Sequence, residues 1–372
     1  MPKSTIKPPR PSFRRTTVRR AVAEELSTER KTFQRKSEIK TRAMELLQRK
    51  SEQAAELQQS AFPVRNRPDP VEQFRESRQD KFISSLSPTL NVMIQAVQKA
   101  GRGLVRDFGE LEQLQISKKG AADFASTADL NSEKTLREYL LKVRPRYGFL
   151  QEESGVKAGE DTSHRWIIDP LDGTSNFLHA VPHFAISLAL QEDNDIVAGV
   201  IFNPVTGDLF YAERGGGAWA MTASGSRRIH VSNRNTMNEA VVVTGIPHLG
   251  HSNPDRFVRQ LMPMMQKTAG VRRMGAASLD LAYVAAGRFE CYFEEDIKPW
   301  DVAAGQLIVK EAGGRVCTYD GKEDSVGIVN AGTIIASNDQ LFTPFKKMLT
   351  LPEESDAFKQ FERTLSPAPA KE

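Results

Sequence analysis

Cysteine is scarce in this chain. Cys291 and Cys317 are its two thiols in 372 residues, and they form no CxxC pair. Two isolated thiols exclude a disulfide framework and a cysteine-based zinc site, and they point to a reducing, cytoplasmic setting. Histidine is scarce too, six in all; His179 and His183 lie close together, but nothing else around them has zinc-ligand spacing. No apolar run reaches the ~18 residues of a membrane span, and no signal-peptide pattern is visible. Aromatics make up 8% of the chain, and Phe13 and Phe33 are the only ones before Phe62, which argues against base stacking by the N-terminal segment.

Charge is unevenly spread. Residues 1–80 hold 19 Lys+Arg against 11 Asp+Glu, a net +8 that leaves −4 for the rest of a chain totalling +4. The first twenty residues carry seven Lys/Arg and no acid, which reads as a disordered leader or an organellar transit peptide. The expected organisation is a basic, disordered or partly helical extension over 1–81, a catalytic domain over 82–350, and a loose tail over 351–372.

Within the domain, Ser87-Pro88 predicts a helix start, and Leu90, Met93, Val97, Ala100 and Leu104 recur at helical spacing. A second helix is expected over 130–143. "YGFLQ" and "WIIDP" read as short buried strands, and residues 184–221 as an antiparallel meander. A strand "VVVTG", helices near 254–267 and 278–286, a strand "ECYFE", a helix over 299–312, and strands "RVCTY" and "TIIAS" complete a layered α/β or α+β fold.

The chemistry concentrates in "DPLDGTSNF" (169–177). Asp169 stands at the mouth of a strand, and Pro170 is expected to stop that strand. Gly173 permits backbone conformations closed to other residues. Thr174 and Ser175 can cap a helix whose free N–H groups face an anion. An ordinary strand–turn–helix would use the same residues. Other acids also end apolar runs: Glu152 and Glu153 close "FLQEE", Asp301 opens an apolar helix, and Asp129 ends "STAD" just before another. Each alone can be a cap or a solvated acid. Brought together, they would repel one another until a divalent cation relieved the repulsion, and all-oxygen ligands favour Mg²⁺.

With "EES" (152–154) before it, and "GDLFYAERGGGAW" (207–219), "RRMGAASLDLAYVAAGRFECYFE" (272–294) and "WDVAAGQLIVKEAGG" (300–314) after it, this stretch resembles the inositol monophosphatase family over roughly residues 88–340. The resemblance implies a layered αβαβα sandwich of the inositol monophosphatase and sugar phosphatase type. It also implies a Mg²⁺-dependent, lithium-sensitive phosphomonoesterase acting on inositol monophosphate, and a homodimer. Glu152, Asp169, Asp172, Asp301 and the Leu171 carbonyl would hold metal, with Glu153 behind them. Asp129 and Thr174 would hold and activate the attacking water, with Glu152 also serving catalysis. Gly173, Thr174 and Ser175 would cradle the phosphate. Gly275, Ala277, Glu294 and Asp301 would receive the alcohol part, and Lys118 or Lys119 would lie nearby. Haloacid-dehalogenase phosphatases also use an Asp-Gly-Thr stretch, but with aspartates two apart rather than three. The chain departs from the family at "ADFASTAD" (Ala-Ser where Val-Thr is common) and at Ala180, where glycine is common.

Two alternatives stay open. The same chemistry could act on fructose 1,6-bisphosphate, histidinol phosphate or a 3′,5′-bisphosphate nucleotide, with Arg272 and Arg273 taking a second phosphate. The basic arm could bind RNA or transcription machinery, as some bacterial relatives of the family do.

Overall fold

The Ser87 hydroxyl accepts the Leu90 amide at 3.1 Å, and Pro88 opens helix α1 (Pro88–Leu114), as the Ser-Pro pair predicts. This is seen in a computed structural model that describes residues 86–114, 121–222, 225–247 and 252–349, all within the unit Pro68–Glu372. The basic arm, the C-terminal tail, Lys118 and Lys119 lie outside the described residues. Helix α2 spans Ala121–Val143 rather than starting at 130, so Asp129 sits inside a helix and not ahead of one.

Strands β1 (Tyr147–Gln151), β2 (Gly155–Lys157), β3 (Asp161–Asp172), β4 (Ala185–Glu192), β5 (Asp195–Phe202), β6 (Leu209–Glu213), β7 (Ala218–Thr222) and β8 (Gly225–Ile229) form one sheet in the order β2-β1-β3-β4-β5-β6-β7-β8. From β3 to β8 it is antiparallel, so the meander expected over 184–221 gains β3 before it and β8 after it. Successive side chains alternate faces. Trp166, Ile168, Leu188 and Val200 pack with α1 and α2, whereas Ile167, Ala189 and Ile201 pack on the opposite face with α5 (Ala277–Ala285) and α6 (Pro299–Glu311). Because both faces are covered, a strand such as "AISLALQE" is buried almost throughout.

A second sheet, β9 (Val241–Thr244), β10 (Gly270–Arg272), β11 (Cys291–Glu295), β12 (Gly314–Cys317) and β13 (Thr333–Asn338), has the order β10-β9-β11-β13-β12. Val243, Tyr292, Ile334 and Ala336 face α5 and α6; Cys291, Phe293 and Ile335 face α4 (Pro254–Lys267) and α8 (Asp339–Leu349). The layers therefore run helix, sheet, helix, sheet, helix, the αβαβα sandwich implied by the resemblance. The middle layer explains α6, which is buried from Val302 to Val309. Its close contacts need glycine: a Cβ on Gly199 would lie 2.9 Å from the Ala304 carbonyl oxygen, and one on Gly305 2.5 Å from Leu281. No helix among the described residues is long and apolar enough to cross a membrane.

Pro170 does not stop its strand. β3 runs on to Asp172, and its pairing with β4 shifts between Asp169↔Ser187 and Asp172↔Ala185, so three steps on β3 match two on β4. That is a bulge, a place where a sheet tolerates proline. In a regular strand, residues three apart face opposite ways. The extra residue cancels this and lets both acids turn to one side.

Candidate active site

Two groups of acids converge where the bulge of β3, the end of β1, α2 and the start of α6 meet. Asp169, Asp172 and Asp301 each offer an oxygen within 4.8 Å of the others, and Asp129, Glu152 and Glu153 do the same. Asp169 is 1% exposed, Asp172 8% and Asp129 4%. Asp169, Asp172 and Asp301 are each held by backbone amides. The Leu171 amide donates to Asp169 Oδ1 at 2.9 Å, and the Lys298 amide to Asp301 Oδ2 at 2.8 Å. Asp172 takes the Ser278 amide at 2.8 Å and the Ala277 amide at 3.2 Å, from the start of α5.

Burial and mutual repulsion dominate the electrostatics. Asp129 is pushed up to about 8 by burial and then by Glu152, Glu153 and Glu133. Glu152 is pushed up to about 7, chiefly by burial, with a hydrogen bond to Asp169 opposing the rise. Burial, reinforced by neighbouring acids, holds Asp169 and Asp301 well above the usual carboxylate range. Asp172 is also raised by burial, opposed by its bonds from Ser278 and Ala277. Among the described residues none of these acids has an ion-pair partner, and buried Asp129 Oδ1 has no hydrogen-bond partner at all. Buried carboxylates in this state either keep their protons or take up a cation, and an all-oxygen donor set fits a hard divalent metal.

A cavity of about 380 Å³ opens beside the acids, lined among others by Glu152, Asp172, Thr174, Glu294 and Asp301. Gly173 (φ 91°) and Gly275 (φ 86°) also line it, both in the left-handed region that favours glycine. Ser175 and Ala277 complete the set expected there. Glu294 accepts the Tyr292 hydroxyl at 2.7 Å and is pushed up to about 7, chiefly by burial. Asn176 ties the two glycine turns together, donating to the His183 carbonyl at 2.7 Å and the Met274 carbonyl at 2.9 Å. One expected pairing is not formed: the Thr174 hydroxyl donates to the Leu171 carbonyl at 3.0 Å rather than joining Asp129. A hydroxyl that donates once still has lone pairs for a water.

The match to known proteins agrees with this arrangement. Residues 85–351 match the model of the inositol monophosphatase family. The chain belongs to that family. An inositol-1-monophosphatase of Caulobacter vibrioides is 52% identical over 250 residues, 67% of this chain and 96% of the relative. A putative Nus factor SuhB of Neisseria meningitidis is 40% identical over 265 residues, 71% of this chain and 99% of the relative. Among solved structures, the extragenic suppressor protein suhB of Bartonella henselae superposes with a TM-score of 0.64 at 46% identity, covering 71% of this chain and 99% of that one. Membership makes the protein a phosphomonoesterase.

Sequence reasoning missed several residues that surround these acids. Glu133, 2% exposed, accepts the Glu153 amide at 2.9 Å and the Ser154 hydroxyl, so it fixes the turn that presents Glu152. Ser132 donates to the Pro170 carbonyl at 2.9 Å, at the bulge. Asp129, Ser132 and Glu133 share one helical face at i, i+3 and i+4, a signal lost once Asp129 was placed before the helix. Asp280, 1% exposed, also lines the cavity and was not singled out.

Proposed function

We propose that the protein hydrolyses inositol monophosphate to inositol and phosphate, with Mg²⁺ as its metal. The observation that carries this reading is the pair of unneutralised acid groups beside a cavity that Glu152, Asp172, Asp301 and Glu294 all line. Glu152, Asp169, Asp172, Asp301 and the Leu171 carbonyl are the residues that would hold the cation. The cation supplies Lewis-acid charge, polarising a phosphate oxygen and acidifying water. The amides of Gly173, Thr174 and Ser175, at the start of the short helix α3 (Thr174–Leu178), would face the phosphate, since helix-start N–H groups lack partners within the helix. Asp129 Oδ1 and the free lone pairs of Thr174 orient the attacking water, and Asp129 takes its proton. Glu294 accepts hydroxyl protons from a ring diol, while Gly275 and Ala277 leave the ring room beside it.

The same reading carries lithium sensitivity and a homodimer, both from family resemblance, and a cytoplasmic setting, supported by the free, buried Cys291 and Cys317. A panel of phosphate esters tests the substrate. With the full chain in Mg²⁺, inositol 1-phosphate should give the highest kcat/KM, inhibited by Li⁺. A higher value for fructose 1,6-bisphosphate, histidinol phosphate or adenosine 3′,5′-bisphosphate would reassign the alcohol pocket.

The relatives named Nus factor SuhB favour a second reading, association with transcription machinery, alongside the hydrolase activity. The +8 arm over residues 1–80 is the segment suited to RNA. A salt-sensitive RNA shift that disappears on deleting residues 1–81 supports it; no shift at low salt removes it.

A further inference from the structure

We infer that Ser278 is a positioning residue for the metal, acting through Asp172; this rests on the metal reading proposed above. Helix α5 starts without a cap of its own, because Ala276 has no side-chain oxygen to offer its first amides. Asp172 supplies the cap from another layer. Its Oδ2 takes both the amide of Ser278 at 2.8 Å and the hydroxyl of Ser278 at 2.5 Å, while its Oδ1 takes the Ala277 amide at the longer distance of 3.2 Å. Asp169 and Asp301, the other members of the same acid group, are held by single backbone amides of neighbouring residues. Asp169 and Asp301 otherwise bond only to fellow acids, so among the described residues Asp172 is the member of the three held by a neutral side chain.

The hydroxyl matters because of what it leaves free. A carboxylate has about four lone-pair positions. Two donors on Oδ2 fix the plane of the group and direct the remaining capacity toward Asp169 and Asp301. Ser278 is 0% exposed, so no water can replace a deleted hydroxyl without a change in packing. α5 also carries Ala277 and Asp280 at the cavity wall, so one residue joins the metal-side acids to the wall that receives the alcohol.

The test uses the full, metal-stripped chain and Mn²⁺ alone, with free Mn²⁺ counted by electron paramagnetic resonance. Ser278→Ala should weaken Mn²⁺ binding by about 10- to 100-fold, the cost typical of losing a group that orients a metal ligand. The Mg²⁺ concentration needed for half-maximal phosphate release should rise in parallel, with kcat at saturating Mg²⁺ within about threefold of wild type. Ser278→Cys keeps the shape of the side chain, slightly enlarged, but has a weak donor, so it should also bind Mn²⁺ more weakly; it decides the matter if Ser278→Ala does not fold. Ser337→Ala removes another buried hydroxyl, one that donates to the Asn338 carbonyl in the second sheet, and should leave Mn²⁺ binding unchanged. Wild-type Mn²⁺ affinity in Ser278→Ala or in Ser278→Cys overturns the inference. A wild-type chain that takes up no Mn²⁺ instead overturns the metal reading itself, and this inference with it.

Discussion

The carboxylate of Asp301 accepts the amide of Lys298 at 2.8 Å and so caps the helix on which it rides, while a carboxylate oxygen of it joins Asp169 and Asp172. One side chain thus serves the fold and the metal site, and the two duties separate by substitution. Asp301→Asn keeps an oxygen that can accept the Lys298 amide but loses the negative charge. It should melt within about 3 °C of wild type in EDTA, under ~1 kcal/mol for a domain of this size. Phosphate release should fall by about 10³-fold or more, as when a group essential to transition-state charge is lost. Wild-type turnover in excess Mg²⁺ would remove Asp301 from the ligand set.

Metal-free stability should fall as pH rises. Asp129 and Glu152 have ordinary values of 3.8 and 4.5 and are raised to about 8 and about 7 in the fold. Below about pH 3 both groups are protonated folded and unfolded, and burial of their charge costs nothing. Above that the unfolded chain releases protons that the folded chain retains, so the folded state loses ground until pH passes the folded values. In EDTA, the melting temperature should therefore decline from pH 5 to pH 8.5, and millimolar Mg²⁺ should flatten the decline by offsetting the acids' charge. A metal-free profile that rises over this range would contradict the account.

Glu133 should matter through the turn it holds. Glu133→Ala leaves the Glu153 amide and the Ser154 hydroxyl without their acceptor. A cost of about 1–3 kcal/mol is expected, a drop of roughly 2–12 °C in melting temperature, together with weaker metal activation. Calorimetry reads the first and a Mg²⁺ titration of activity the second; no change in either would mean that the turn stands without Glu133.

Ala180 is in the left-handed region at φ 54°, at a position where the family resemblance expects glycine. A Cβ there costs about 1–2 kcal/mol. Ala180→Gly should raise the melting temperature by roughly 2–5 °C, less what glycine gains in the unfolded chain. A lower melting temperature would show that the alanine is not strained.

Glu294 should act on the alcohol rather than on the phosphate. Glu294→Gln should lower kcat/KM for inositol 1-phosphate by about 10- to 100-fold, since a site built to bind hydroxyls loses its acceptor pair. Hydrolysis of p-nitrophenyl phosphate, which has no ring hydroxyls, should change by less than about threefold. Equal losses on both substrates would place Glu294 in the chemical step.

The sequence showed most of the layers because burial leaves a pattern. The meander from β4 to β7 announced itself as apolar runs split by turns, and α6 as an apolar helix behind a Pro-Trp-Asp start. The bulge at Pro170 was not legible, since proline reads as a strand end unless the partner strand is known. α2 begins nine residues before the expected 130, because "AADFASTAD" has small residues and no large apolar stripe; without that first part of the helix, Glu133 and Ser132 do not line up with Asp129. The cap that Asp172 gives α5 joins residues 106 positions apart in sequence, which no local pattern reports.

The most direct test of the central claim is phosphate release from inositol 1-phosphate by the metal-stripped full chain while Mg²⁺ is titrated in. The account predicts no release in EDTA and a saturable rise with Mg²⁺, abolished by Asp169→Asn. Release that is undiminished in EDTA, or that survives Asp169→Asn, would contradict it.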